Sequence, residues 1–170
     1  MLLVIAGVII LGFGFMVFFG APYVPSRRKY IRRIFEHVGV GPDDVLIDVG
    51  SGDGIVLRTA SSYGARAIGY EINPVLVLVA RLLSANDRRV SVRLTNFWRT
   101  LLPNDTTIVY AFSVSRDEAK LTKLLQREAE RLKRPLKIIC YASPLKSKKA
   151  EDMFDAYHIY TFRPLQSKKA

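Results

Sequence analysis

The stretch Val45-Leu-Ile-Asp-Val-Gly-Ser-Gly-Asp-Gly54 decides the fold of this 170-residue chain. Its first half is a short apolar run, which reads as a buried strand of a parallel sheet. Its second half has glycine at positions 50, 52 and 54, so the backbone can turn sharply and bring its amides towards a ligand. The helix that follows then starts with its unsatisfied N–H groups aimed at the same place. Strand, glycine turn and helix together make a ligand cradle. A dinucleotide fingerprint would have glycine or alanine one residue after Gly54, where Ile55 stands.

A cradle of this kind is completed by an acid at the end of the next strand. Ile55 to Tyr63 is compatible with a helix, and Gly64-Ala-Arg-Ala-Ile-Gly-Tyr-Glu71 supplies a second strand that ends in Glu71. A carboxylate there is placed to accept hydrogen bonds from both hydroxyls of a ribose. The alternate glycines with Asp48 in front resemble the S-adenosylmethionine (SAM) loop of class I methyltransferases. That resemblance makes Asp48, Gly50, Ser51, Gly52, Asp53, Gly54, Glu71, Ile72 and Asn73 the candidate cofactor-binding residues. It implies SAM as methyl donor, S-adenosylhomocysteine as product and no metal.

Met1 to Phe19 is a different kind of object, with no charged or strongly polar side chain. As a helix it would reach about 28 Å, close to the roughly 30 Å hydrocarbon thickness of a bilayer. No Lys or Arg precedes the run and no convincing small-x-small cleavage site follows it, which argues against a signal peptide. Arg27, Arg28, Lys29, Arg32 and Arg33 crowd just beyond it. By the positive-inside rule they would hold the downstream domain on the cytoplasmic or matrix-like side of a single-pass, uncleaved anchor. Gly20-Ala-Pro-Tyr-Val-Pro-Ser26 follows as a stiff extended connection, because its two prolines forbid a continued helix. Ser26 can then cap a basic helix over Arg27 to Val38 whose Ile31, Ile34, Phe35 and Val38 form an apolar face.

The chain thus divides into an anchor (1–19), a connection and basic helix (20–38) and one domain (39–170). Lys and Arg number 26 against 15 Asp and Glu, a formal charge of +11. Much of that charge is clustered beside the anchor, at Lys146, Lys148 and Lys149, and at Lys168 and Lys169, without interleaved aromatic residues. Anionic lipid headgroups near Arg27, Arg28, Lys29, Arg32 and Arg33 are therefore favoured over nucleic acid as the partner. Cys140 is the only cysteine, which excludes an intrachain disulfide or a cysteine zinc site and, in its apolar run, predicts a core residue. His37 and His158 are isolated and read as surface or packing residues.

Beyond the cradle, Pro74 is suited to open a helix, and the Val- and Leu-rich run to Ala85 predicts burial on the sheet. Val90 to Leu94 is a third strand. Asn96-Phe97-Trp98 falls at its C-terminal end, on the ligand edge of a doubly wound sheet, where Asn96 can bind the adenine amino group and the ring of Phe97 can flank the base. Thr106 to Phe112 and Leu136 to Tyr141 are further strands around a helix from Arg116 to Leu132 with charged residues on its outer face. Ala150 to Phe154 and His158 to Phe162 close the chain as a hairpin. The expected fold is α/β: a Rossmann-like class I methyltransferase, its doubly wound sheet mostly parallel with a C-terminal antiparallel hairpin, preceded by one N-terminal transmembrane helix.

Pro22-Tyr-Val-Pro-Ser26 directly after the apolar run, the basic helix, Asp48-Val-Gly-Ser-Gly-Asp-Gly54 and Gly69-Tyr-Glu-Ile-Asn-Pro74 resemble the family of membrane-anchored lysine methyltransferases. Members of that family modify adenine nucleotide translocase and the c-ring protein of ATP synthase. The likeness is strongest over residues 20 to 98. It implies that Tyr23 to Ser26 belong to the active site, with Tyr23 the candidate catalytic residue that orients the acceptor amine, and that the acceptor is a lysine of a membrane-associated protein. The chain departs from the family at Ala111-Phe-Ser-Val-Ser115, where a proline is usual, and at Ser143-Pro-Leu-Lys146, where the family has a Phe-Pro-x-Pro run near a Trp. A sulfonium methyl is already activated, so alignment remains for the protein, with loss of a proton from an ammonium whose ordinary pKa is about 10.4. The same residues leave open a lipid-headgroup or small-amphiphile methyltransferase and a membrane-tethered SAM-binding module without catalysis.

Overall fold

The computed structural model describes Gly7, residues 27–112 and residues 116–165. The expected anchor, apart from Gly7, and Tyr23 to Ser26 lie outside the described residues. Among the described residues no helix is long and apolar enough to cross a membrane.

Strands β1 (Val45–Val49), β2 (Arg66–Glu71), β3 (Val90–Leu94), β4 (Ile108–Phe112), β5 (Leu136–Tyr141), β6 (Asp152–Phe154) and β7 (Tyr157–Phe162) form one sheet in the order β3-β2-β1-β4-β5-β7-β6. The first five pair in parallel, and β7 lies antiparallel between β5 and β6. Strand order reverses at β1, so the crevice beyond its C-terminal end is the place where such a sheet binds ligands. Leu46 and Ile47 point to opposite faces and both are fully buried, as a central strand requires.

Helices α1 (Arg28–Val38), α2 (Ile55–Ser62) and α3 (Pro74–Leu83) cover one face, around Leu46, Val56, Leu57, Ala67, Val92 and Tyr110. The other face is covered by α4 (Glu118–Leu132) together with Phe97, Leu102 and Leu145 from irregular segments. Cys140 sits in this second core, as expected, and burial pushes its thiol up to about 12. Two charged residues of α4, Glu118 and Glu128, depart from the outer-face expectation. Glu128 is fully buried, where it accepts from the Leu102 amide at 3.1 Å and pairs with Arg131 at 2.7 Å, so an ion pair holds the segment after β3 in place.

Helix α1 begins at Arg28, with Arg27 at the N-cap position and no side-chain cap. Its Arg33 pairs with Asp155 at 3.0 Å and lies over the Phe154 ring, while His37 stacks on Phe154 and meets Asp152 at 2.7 Å. Arg33 is therefore engaged with the β6–β7 hairpin, whereas Arg27, Arg28, Lys29 and Arg32 are exposed. Asp155 stands in the turn at the C-terminal end of β6 and Asp152 at its start.

Helix α3 corrects the expectation of burial. Only Val77 and Ala80 are buried, because the helix lies over the edge strand and can turn only one stripe inward. Asn73 caps it by accepting from the amides of Val75 and Leu76, and Arg81 ties it to the Val92 carbonyl.

At Gly69, in the middle of β2, the space for a side chain is already taken by Ser51 of the glycine loop. A Cβ there would lie 2.6 Å from Ser51 Cβ and 2.7 Å from Leu57 Cδ1. Gly69→Ala should therefore lower stability by about 1–3 kcal/mol through overpacking, read as a lower midpoint in urea. An unchanged midpoint would show that the loop does not rest on β2.

Candidate active site

The glycine loop is shaped by three left-handed residues, Gly50 (φ 76), Gly52 (φ 54) and Gly54 (φ 79). The amides of Gly50 and Ser51 donate to the Tyr70 carbonyl at 2.9 and 3.2 Å, which lays the loop across the end of β2. Gly54 heads α2, and a Cβ on it would come within 3.2 Å of the Ala80 Cβ, so helix α3 approaches the loop closely. A side chain at any of these positions would have to adopt a backbone conformation that L-residues rarely take.

Glu71 joins loop and strand. Its Oε2 accepts from the Gly52 amide at 3.0 Å, and Oε1 accepts from the amides of Ile72 and Asn73, both at 2.8 Å. The residue is only 7% exposed. Three N–H donors fill three of a carboxylate's roughly four acceptor sites and leave one for a ligand hydroxyl.

Asp48 lies on the same face, one strand over, and is buried. Burial, then the nearby charges of Glu71 and Asp53, raise its carboxyl pKa to about 8. A neutral Asp48 at pH 7 is a reserve of negative charge that a cationic ligand can draw out, since an adjacent positive group favours the ionised form.

The remaining sequence candidates divide by what their side chains touch. Asp53 accepts from the Ile55 amide at 3.1 Å and pairs with Arg58, so its carboxylate caps α2. The Asn73 side chain likewise caps α3, and Ile72 is exposed beside them. Ser51 turns its hydroxyl inward over Gly69, where it has no hydrogen-bond partner among the described residues; its contribution to the loop is backbone. Asn96 stands exposed at the end of β3 and accepts through Oδ1 from the Trp98 amide at 3.0 Å. That bond takes one of the two lone pairs of Oδ1 and turns the side chain back on its own loop. Phe97 is 4% exposed and packs on Tyr70, so its ring serves the core. Trp98 is half-buried, with Lys120 over its ring at 4.4 Å. Tyr23 lies outside the described residues.

Strand register reveals residues that the sequence reading passed over. Glu71 pairs with Leu94, Phe112 with Tyr141, and Tyr141 with Tyr157, so these side chains form one row along the C-terminal edge. By alternation from Ala67, Tyr110 and Ile139 they share the face of α1 to α3. Phe112 and Tyr141 have ring centroids 5.2 Å apart, and Tyr141 and Tyr157 4.7 Å. An aromatic wall thus stands level with Glu71, two strands further along the crevice. Its one sequence signal is an aromatic residue closing each of β4 and β5. The loop after β5 is drawn away to the α4 face, where Leu145 is buried and its amide donates to the Tyr160 hydroxyl.

A glycine loop at the switch point, an acid ending β2 and a 3-2-1-4-5-7-6 sheet define a class I SAM-dependent methyltransferase fold, and the residues present suit that cofactor. No family model matches the chain. It is 30% identical over 112 residues to a protein-lysine N-methyltransferase of Saccharolobus islandicus, a match that covers 63% of this chain and 69% of that protein. It is also 30% identical over 112 residues to the Homo sapiens lysine N-methyltransferase named for the C component of ATP synthase, covering 64% of this chain and 47% of that one. The match spans about half the length of the human relative. Among solved structures, an RNA methyltransferase from Salinibacter ruber in complex with S-adenosyl-L-homocysteine shares the fold, with TM-score 0.74, 24% identity, and 86% of this chain and 98% of that chain covered. The chain belongs to the family of SAM-dependent protein-lysine methyltransferases.

Glu71→Ala should weaken SAM binding by roughly 1.5–3 kcal/mol through loss of charge-assisted hydrogen bonds, measured by calorimetry against NAD as a ligand that does not bind. Unchanged affinity in a folded variant would remove the ribose assignment. Asp48 gives a pH signature. Its folded pKa of about 8 lies above its ordinary 3.8, so the unfolded chain releases this proton first. Its contribution makes the ligand-free protein less stable as pH rises from about 4 to about 8, with no further change above. Denaturant titrations across that range should show a shallower decline in Asp48→Asn; parallel curves would place the titrating group elsewhere.

Proposed function

We propose that the protein transfers a methyl group from SAM to lysine side chains of a membrane-associated protein. The observation that carries this reading is the row along the sheet edge, in which the carboxylate suited to the cofactor ribose and the Phe112–Tyr141–Tyr157 wall share one face and one level. SAM supplies a methyl group already activated on a sulfonium. Glu71 and the glycine amides would hold the ribose and amino-acid ends, and Asn96 would meet the base. The aromatic wall receives the acceptor's side chain. Its faces attract an approaching ammonium, and its apolar bulk keeps water away, which lowers the amine's pKa and favours the neutral nucleophile. Burial pushes the Tyr157 hydroxyl up to about 12, so this residue stays neutral and shapes the wall without acting as a base.

Tyr23 is the candidate for orienting the amine. It precedes Arg27 by four residues, a span of at most about 14 Å. Residues 1–19, as a membrane anchor, would hold the domain within reach of a lysine on a cytoplasmic or matrix-side loop, because Gly20 to Ser26 can span only about 25 Å. The lysine methyltransferase relatives support a protein acceptor, and the exposed Arg27, Arg28, Lys29 and Arg32 suit an anionic bilayer.

The test is to incubate the full chain with methyl-labelled SAM and membranes of its source, then separate protein, lipid and RNA. Label recovered as methyl-lysine is the expected outcome; label in lipid or RNA would overturn the acceptor, and none with intact SAM binding would leave a binding module. Tyr141→Ala should keep SAM affinity and lower protein labelling roughly tenfold, about 1.4 kcal/mol. Equal loss of SAM affinity and labelling would assign Tyr141 to the cofactor side.

A further inference from the structure

Helix α3 carries a second apolar stripe on its outer side. Val75, Leu78, Val79 and Leu82 recur at helical spacing and are exposed, Leu78 by 58% and Leu82 by 68%. Leu83 extends the stripe, and Leu94, 54% exposed, adds to it from the edge strand on the face of Val92. Single exposed apolar residues are ordinary, whereas a contiguous stripe marks an interaction. At its C-terminal end a groove of about 960 Å³ brings Leu82 and Leu83 together with Arg28, Arg58, Arg88 and Arg89. Arg28, Arg88 and Arg89 are exposed there, whereas Arg58 is paired with Asp53.

The charge selects the occupant. Guanidinium groups bordering an apolar strip complement a surface that is anionic outside and hydrocarbon within, and long arginine stems can lie along the apolar layer while their heads stay at the phosphates. A second copy, packed symmetrically, would set arginine against arginine. The chain's own residues 1–19 have no acid to meet them.

We propose that the outer face of α3 beds into an anionic bilayer surface, with Leu78 and Leu82 at the acyl boundary and the arginines among the headgroups. The stripe begins at Val75, beside the exposed Ile72 at the site edge, so docking sets the mouth of the site at the headgroup layer. The inference rests on the membrane part of the proposed function and adds a contact separate from residues 1–19.

Cys140 is buried, so an engineered surface cysteine takes up a fluorophore selectively. The full chain is labelled at Leu78→Cys or, on the opposite face, at Lys123→Cys, and reconstituted into phosphatidylcholine–phosphatidylglycerol vesicles carrying nitroxide on the lipid chains. Quenching at position 78 well above that at 123, abolished by Leu82→Glu and lost when phosphatidylcholine replaces the anionic lipid, is the expected result. If the chain sediments with vesicles but 78 is quenched no more than 123, the docking face is refuted while the anchor stands. Quenching at 78 that is indifferent to lipid charge overturns the role of the arginines. A chain that does not sediment with vesicles refutes both.

Discussion

The hydrogen bonds at Glu71 are the constraint on which the site depends. One carboxylate takes N–H groups from the glycine loop and from the start of the segment that leads into α3, so the end of β2, the loop and the helix beyond share one anchor. A buried anion with three donors is a stable arrangement because each donor would otherwise need a partner of its own. The same carboxylate helps raise Asp48. Two acids that cannot comfortably be charged together thus divide the work: one is a fixed acceptor, the other a group whose charge follows the occupant of the crevice.

The two faces of the sheet are covered unequally. Three helices lie on the site's face, whereas the opposite face has α4 and irregular segments between β3 and β4 and after β5. Those segments are kept in place by polar contacts as well as apolar packing, through Glu128 to Leu102 and Tyr160 to Leu145. Removing Arg131 from its ion pair with the buried Glu128 would leave the carboxylate poorly compensated. The segment that carries Asn96 and Trp98 therefore owes its position to an ion pair on a helix far along the chain.

Local pattern made much of this legible from the residues. The glycine loop, Glu71, and the strands Val90–Leu94 and Leu136–Tyr141 are where hydrophobic alternation and turn chemistry put them. What escaped was whatever depends on partners distant in sequence. Asp53 and Asn73 carry the right chemistry for a ligand, yet helix N-termini beside them claim their side chains. Phe97 reads as an aromatic at a ligand edge until Tyr70 is found behind it. The apolar density of α3 pointed to burial, but an edge position leaves half of it outside. The Phe112–Tyr141–Tyr157 wall is created by register between β4, β5 and β7, which no single stretch encodes.

The latch between α1 and the closing hairpin has a consequence for how the chain is made. His37 and Asp152 are 115 residues apart in sequence, and Arg33 and Asp155 are comparably distant, so the polar partners of this helix are made long after it. Contacts of such long range form late, after loop closure over most of the chain. Until then the unpaired edge of β5 is open to other molecules in a crowded cell, which makes the interval before β7 inserts a period when a nascent chain needs a chaperone.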